Sequence, residues 1–283
     1  MEQHTPSTPT PEAEAPWTQP EYIHGQPWEL DFSTFPEGEL DAKQWHFEEG
    51  TEVAGYNSEE QAYTSRPQNV RVEDGRLIIQ AHHEQHEGRE FTSARIDTRN
   101  SFAFDYGTLE VTAKLPRGVG TWPAAWLMPS NPQYDPREYG IEAGHPWEFS
   151  MNGEIDFMEA IGVIENENLP AAHSINQLEA GTLYTPGIID DAYGKFHTYG
   201  VKKSPGLIEF TIDGEVFATR EQTSDDPRWW PYEQDYYLIL NLAMGGPWAG
   251  SEKAAYPPHG IDTSTEEQWK YEIAKISYEP LSN

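Results

Sequence analysis

From residue 28 to residue 280 the chain runs in short stretches whose apolar residues recur at every second position, punctuated by glycine, proline and Asp-Gly pairs. A buried helix face would need apolar residues three and four apart, and no long run keeps that spacing. In Tyr106 to Pro116, Gly107, Leu109, Val111, Ala113 and Leu115 alternate with Thr108, Glu110, Thr112 and Lys114. That pattern predicts a strand with one buried and one wet face. Asp74-Gly75 stands between Asn69–Val72 and Leu77–Ala81, and Asp213-Gly214 between Leu207–Ile212 and Val216–Thr219, so each pair predicts a hairpin. Tyr236 to Ala243 is apolar almost without break and predicts a central strand buried on both faces.

These elements add up to an all-β chain of two packed antiparallel sheets, a β-sandwich or jelly roll. Residues 21–283 read as a single domain of that kind. Residues 1–20 carry five Pro, four Thr and three Glu, with almost nothing apolar before Trp17. They are expected to be a flexible linker or trimmed leader, since they lack the apolar core of a signal peptide. Pro and Gly gather in 129–153 and 245–260, which predicts long loops at a rim.

Charge narrows the partners. With 18 Lys and Arg against 48 Asp and Glu, the formal net charge is −30, and no basic run interrupts it. Nucleic acid and anionic membrane surfaces repel such a chain, so a neutral ligand is expected. No apolar run is long enough to span a bilayer. The absence of Cys excludes disulfides, thiolate metal sites and a cysteine nucleophile. His82, His83 and His86 form a His-His-Glu-Gln-His run that lacks the register of a zinc helix and reads as a surface loop.

The most informative segment is Gly153-Glu154-Ile155-Asp156-Phe157-Met158-Glu159-Ala160, three acids within six residues of an otherwise apolar strand. Strict alternation would put Glu154 and Asp156 on one face and Glu159 on the other. A β-bulge between 156 and 159 would bring all three together, with Ile155 and Phe157 facing the core. Two carboxyl groups on one wall suit glycoside hydrolysis, in which about 5–5.5 Å between them corresponds to retention of configuration. Ion binding and a charged edge that resists aggregation remain alternatives at this point.

Further segments bear on the choice. Thr121-Trp122-Pro123-Ala124-Ala125-Trp126-Leu127-Met128-Pro129, Thr92-Ser93-Ala94-Arg95-Ile96, Lys195-Phe196-His197-Thr198-Tyr199, Phe210-Thr211-Ile212-Asp213-Gly214 and Leu240 to Trp248 follow, in order, the pattern of one family. The chain resembles glycoside hydrolase family 16, and within it the laminarinase-like endo-β-1,3-glucanases that carry the bulged Glu-x-Asp-x-x-Glu form.

The resemblance implies a concanavalin-like jelly roll with a cleft across its concave sheet, hydrolysing a neutral β-glucan with retention. It implies Glu154 as nucleophile, Glu159 as acid/base and Asp156 as the residue that orients and tunes them. Asn57, Arg95, Trp122, Trp126, His173 and Trp248 are the expected sugar-binding residues, although Trp126 and Arg95 have ordinary structural readings as well. Mixed-linkage glucan and agarose are alternative substrates, and a non-catalytic β-glucan-binding module is an alternative class that would need neither Glu. The segment 130–152, with Trp147, is longer than the usual connection, and Leu169–Thr182 departs from the family pattern. No cofactor is expected for catalysis. A structural calcium ion is expected near Asp31, Gly75 and Glu272, the last replacing the usual Asp. The resemblance also implies an extracellular monomer.

The excess of carboxylates fits either a highly soluble surface or adaptation to high salt. Melting the protein between low and molar salt separates the two. A midpoint that climbs steeply means salt adaptation, and a flat response means solubility alone.

Overall fold

A computed structural model describes residues 26–51, 57–140, 151–176, 185–249 and 260–282. Residues 1–20 and Trp147 lie outside them, as do parts of the 130–152, 169–182 and 245–260 stretches. The first strands are β1 (Trp28–Asp31), β2 (His46–Glu48), β3 (Gln61–Tyr63), β4 (Val70–Glu73), β5 (Arg76–Gln80), β6 (His82–His86), β7 (Arg89–Ser93), β8 (Arg95–Asp97) and β9 (Gly107–Lys114). They continue with β10 (Thr121–Pro129), β11 (Glu154–Glu159), β12 (Glu167–Asn168), β13 (Ala171–His173), β14 (Gly187–Ile188) and β15 (His197–Ser204). The last are β16 (Leu207–Ile212), β17 (Glu215–Glu221), β18 (Tyr236–Met244) and β19 (Lys270–Pro280).

Two antiparallel sheets carry the fold. One runs β17-β16-β15-β9-β19-β5-β4, with β1 also paired to β19. The other runs β13-β11-β10-β18-β8-β2. Their facing sides supply one core, with Leu109, Val111 and Tyr199 from the first sheet against Leu127, Phe157 and Leu240 from the second. Each fully buried Leu or Ile removed from water contributes about 1.5–3 kcal/mol, so this interlayer is the main source of stability. The alternation read in 106–116 appears as β9, where every second residue from Gly107 is buried. Both expected hairpins form. Asp74 and Gly75 at φ 52° and 69°, and Asp213 and Gly214 at φ 52° and 82°, take the left-handed geometry that matches strand twist.

β18 lies inside the six-stranded sheet, buried on both faces as its apolar run demands. Leu238, Leu240 and Leu242 enter the core, leaving Tyr237, Ile239, Asn241 and Ala243 on the outer side. One expectation is corrected. The histidine run is not a loop but strand β6, paired with β7, where His83 stacks on Phe91 and His82 bonds Glu266 and the Gln68 carbonyl. Apart from the two main sheets, β3 pairs with β7 in parallel in a separate three-stranded sheet β3-β7-β6.

The strand that carries the acids starts from a constrained point. Gly153 has φ 80°, and a Cβ there would sit 2.6 Å from the Tyr236 hydroxyl and 2.9 Å from the Tyr232 ring. That hydroxyl and Gln234 Nε2 both donate to the Asn152 carbonyl, at 2.8 and 2.9 Å, holding the entry to β11. Gly153→Ala should therefore cost about 1–2 kcal/mol from backbone strain before any clash is counted. Thermal melting checks it, and an unchanged midpoint would contradict this account of the turn.

Candidate active site

The register of β11 against β10 shows how the acids share a face. Glu159 pairs with Ala124 and Met158 with Ala125, but the next pairs are Asp156 with Trp126 and Ile155 with Leu127, leaving Phe157 as an extra residue. Ala124 and Trp126 lie two apart on β10, so Glu159 and Asp156, three apart on β11, lie on one side. Glu154 follows two residues from Asp156 on the same side. The extra residue is accommodated inward, where Ile155, Phe157 and Met158 are all fully buried in the core. The expected bulge is present, and it lies on the outer face of the six-stranded sheet.

On the other side of β11, β13 aligns His173 with Glu154. His173 Nε2 lies 3.1 Å from Asp156 Oδ2. One polar atom each from Glu154, Asp156 and His173 falls within 4.8 Å of the other two. Such crowding of carboxyls away from water favours their neutral forms. Burial, then the charge of Asp156, pushes Glu154 up to about 8, while His173 and Arg95 pull it back. Burial also raises Asp156. Glu159 is raised by burial first and then by the charge of Asp156, opposed by a hydrogen bond from Trp122.

That hydrogen bond assigns Trp122 a particular place. Its Nε1 donates to Glu159 Oε1 at 2.7 Å, and its ring lies 5.4 Å from that of Trp248 at a 45° tilt. Trp126 is on the same outer face, half-buried, with Nε1 donating to Asn241 Oδ1 at 2.8 Å. The Arg95 guanidinium stands 4.6 Å over its ring and pairs with Glu48 at 2.8 Å. The structural salt bridge read for Arg95 is thus present, and its charge also acts on Glu154. Asn57 is exposed, and its Nδ2 donates to Glu59 Oε1 at 3.3 Å. Its Oδ1 is the atom left to accept from a sugar hydroxyl.

Several contributors had escaped sequence reading. Glu59 is buried with its carboxyl raised by that burial, and it accepts from Gln61 Nε2 at 2.8 Å as well as from Asn57. Asn241 Nδ2 donates to the Tyr63 hydroxyl at 3.1 Å, linking Trp126 to this group. Glu48 holds both Arg95 and Arg99. The available signal was the alternation Asn57, Glu59, Gln61, which in so acidic a chain looks like any solvated strand face.

The calcium expectation is corrected. Both oxygens of Glu272 are taken by cations of the chain, Arg76 at 2.7 Å and Lys114 at 2.5 Å. Asp31 Oδ1 instead accepts from the Ser33 N–H and Oγ at 3.0 and 2.6 Å, and those bonds lower its pKa. The Gly75 turn packs on Ser33. The residues therefore do not fit a shared calcium ion, because two resident charges already neutralise the carboxylate it would need.

A two-sheet β-sandwich that displays three acids on one bulged strand, next to tryptophans and planar hydrogen-bonding side chains, is the architecture of a glycoside hydrolase. The chain belongs to glycosyl hydrolases family 16, whose model matches residues 57–265. A β-glucanase of Rhodothermus marinus is 37% identical over 236 residues, covering 79% of this chain and 76% of that protein. A glucan endo-1,3-β-glucosidase of Cryptopygus antarcticus is 32% identical over 276 residues, covering 91% of this chain and 92% of its own. The X-ray structure of the laminarinase from Rhodothermus marinus is similar at a TM-score of 0.77 and 30% identity, covering 90% of this chain and 97% of that one.

Burial, then the charge of Asp156, disfavours the charged form of Glu154, pushing its pKa up to about 8 from 4.5 in a free side chain. Stability associated with the protonated form is full below the lower value and is lost as pH rises through the upper one. Glu154→Gln should therefore raise the melting midpoint at pH 8 by about 2–4 °C for each kcal/mol relieved and change it little at pH 4. Equal shifts at both pH values would contradict this.

Proposed function

We propose that the chain hydrolyses internal β-1,3-glucosidic bonds of laminarin-type β-glucan by double displacement with retained configuration. The observation that carries this reading is the bulge at Phe157, which brings Glu154, Asp156 and Glu159 to one face. In the first step the Glu154 carboxylate attacks the anomeric carbon and the glycosidic C–O bond breaks. Glu159 gives its proton to the departing oxygen. In the second step Glu159 takes a proton from water, whose oxygen attacks the same carbon and releases Glu154.

The electrostatics divide the labour. Arg95 favours ionisation of Glu154, and the charge so formed favours the proton on Glu159. Asp156 sits between them, within reach of His173, and tunes both. Trp122 and Trp248 offer rings to the apolar faces of glucose, while Asn57 and Arg95 offer planar polar groups to its hydroxyls. Catalysis by these steps uses no cofactor. A polymeric substrate requires the enzyme outside the cell, which is the location we propose, acting as a monomer.

The relative named a glucan endo-1,3-β-glucosidase and the structure named a laminarinase favour that linkage, and mixed-linkage glucan is the second reading. A pure binding module would have no use for three acids crowded on one face, one of them buried. Reducing-sugar release from laminarin, lichenan and agarose should be greatest on laminarin, with the β-anomer formed first by NMR. Glu154→Gln and Glu159→Gln should each lose several orders of magnitude in rate on a folded protein. Wild-type hydrolysis by either variant would remove the assignment.

A further inference from the structure

The bulge in β11 leaves a bookkeeping problem in the backbone, and its solution identifies a residue that no motif marked. On one side β11 is paired with β10 as far as Glu159. On its other side, β13 pairs only with Glu154, Ile155 and Asp156. The carbonyl of Phe157 and the N–H of Glu159 therefore need partners from outside the ladder, because an unmet backbone group buried in protein is costly.

Asn168 of β12 meets both. It is fully buried, its Nδ2 donates to the Phe157 carbonyl at 2.9 Å, and its Oδ1 accepts from the Glu159 N–H at 2.9 Å. A primary amide presents a donor and an acceptor side by side, as a peptide unit does, so this one side chain acts as a rung of a missing strand. The next residue continues the contact, with the Leu169 N–H donating to the Glu159 carbonyl at 2.8 Å. The holder is itself held. β12 pairs with β14, and Asn166, at φ 63°, accepts from the Ile189 N–H at its carbonyl and from the Ala192 N–H at its Oδ1.

We propose that Asn168 is the positioning residue of the proton donor. Its carboxamide pins the bulge at Phe157, so that Glu159 rather than Met158 faces the substrate side. A slip by one residue would turn Glu159 toward the core, since neighbouring side chains of a strand point to opposite faces. Asn168 touches no substrate and acts only through the backbone of Glu159. This inference rests on Glu159 being the acid/base, and the experiment separates the two.

The test uses leaving groups. Laminarin loses a sugar alkoxide that must be protonated as it departs, whereas dinitrophenyl β-laminaribioside loses a phenolate that leaves unaided. Values of kcat/KM report the first displacement alone for both. Asn168→Leu, of nearly the same shape but without either hydrogen bond, should lower kcat/KM on laminarin roughly 10- to 100-fold, the scale set by an ångström of misplacement. The aryl glycoside should change less than about 3-fold, no more than the low end of one hydrogen bond's worth. Asn168→Ser should behave the same way if the leucine variant folds poorly. Equal loss on both substrates, or no loss on either, would overturn the proposal. Glu159→Ala is the control: if it slows both substrates alike, the acid/base reading itself falls, whereas a split there with none at Asn168 removes only the present inference. A readout on the unmodified enzyme needs no variant. The Glu159 amide should exchange with solvent as slowly as amides within the β10–β11 ladder, and exchange at loop rates would overturn the proposal.

Discussion

One extra residue in one strand organises the site. Without Phe157 out of register, β11 would alternate strictly and Glu159 would be carried to the core side of the sheet. The insertion is tolerated because the interlayer core accepts Phe157 and Met158 together, both fully buried. Apolar packing thus stabilises a backbone irregularity, and the irregularity gathers three acids that repel one another. Burial first, and that repulsion second, raises the pKa of Glu154 and Glu159, with His173, Arg95 and the Trp122 indole placed to moderate it.

Much of this was legible from residue types. Asp-Gly pairs between β-rich runs located two hairpins, since few other dipeptides take two successive left-handed residues. The alternation in 106–116 located β9, and the unbroken apolar run located β18 inside its sheet. The bulge was legible from the need to reconcile Glu154, Asp156 and Glu159 with a period of two.

What escaped is equally physical. Asn168 and Asn241 are buried polar residues whose partners come from other strands, Glu59 is buried among its own neighbours Asn57 and Gln61, and a polar residue in an acidic chain gives no local sign of burial. The parallel pairing of β3 with β7 joins strands that are distant in sequence. The His-His-Glu-Gln-His run looked like a loop because it follows β5 at once, yet the chain turns and pairs again with β7. At Glu272 the acid was read as a calcium ligand. The positive charge there proved to be Arg76 and Lys114, which approach from neighbouring strands.

The bond from Trp122 to Glu159 links two duties usually assigned to separate parts of a carbohydrate enzyme. On the proposed reading, the indole that offers a platform to a sugar ring also grips the group that would release the proton, so pressure on the platform would be felt by the donor. Recognition and turnover would then share a component. A lineage drifting toward another glycan could not reshape that surface without retuning its chemistry in the same stroke, which makes specificity at this position conservative by construction.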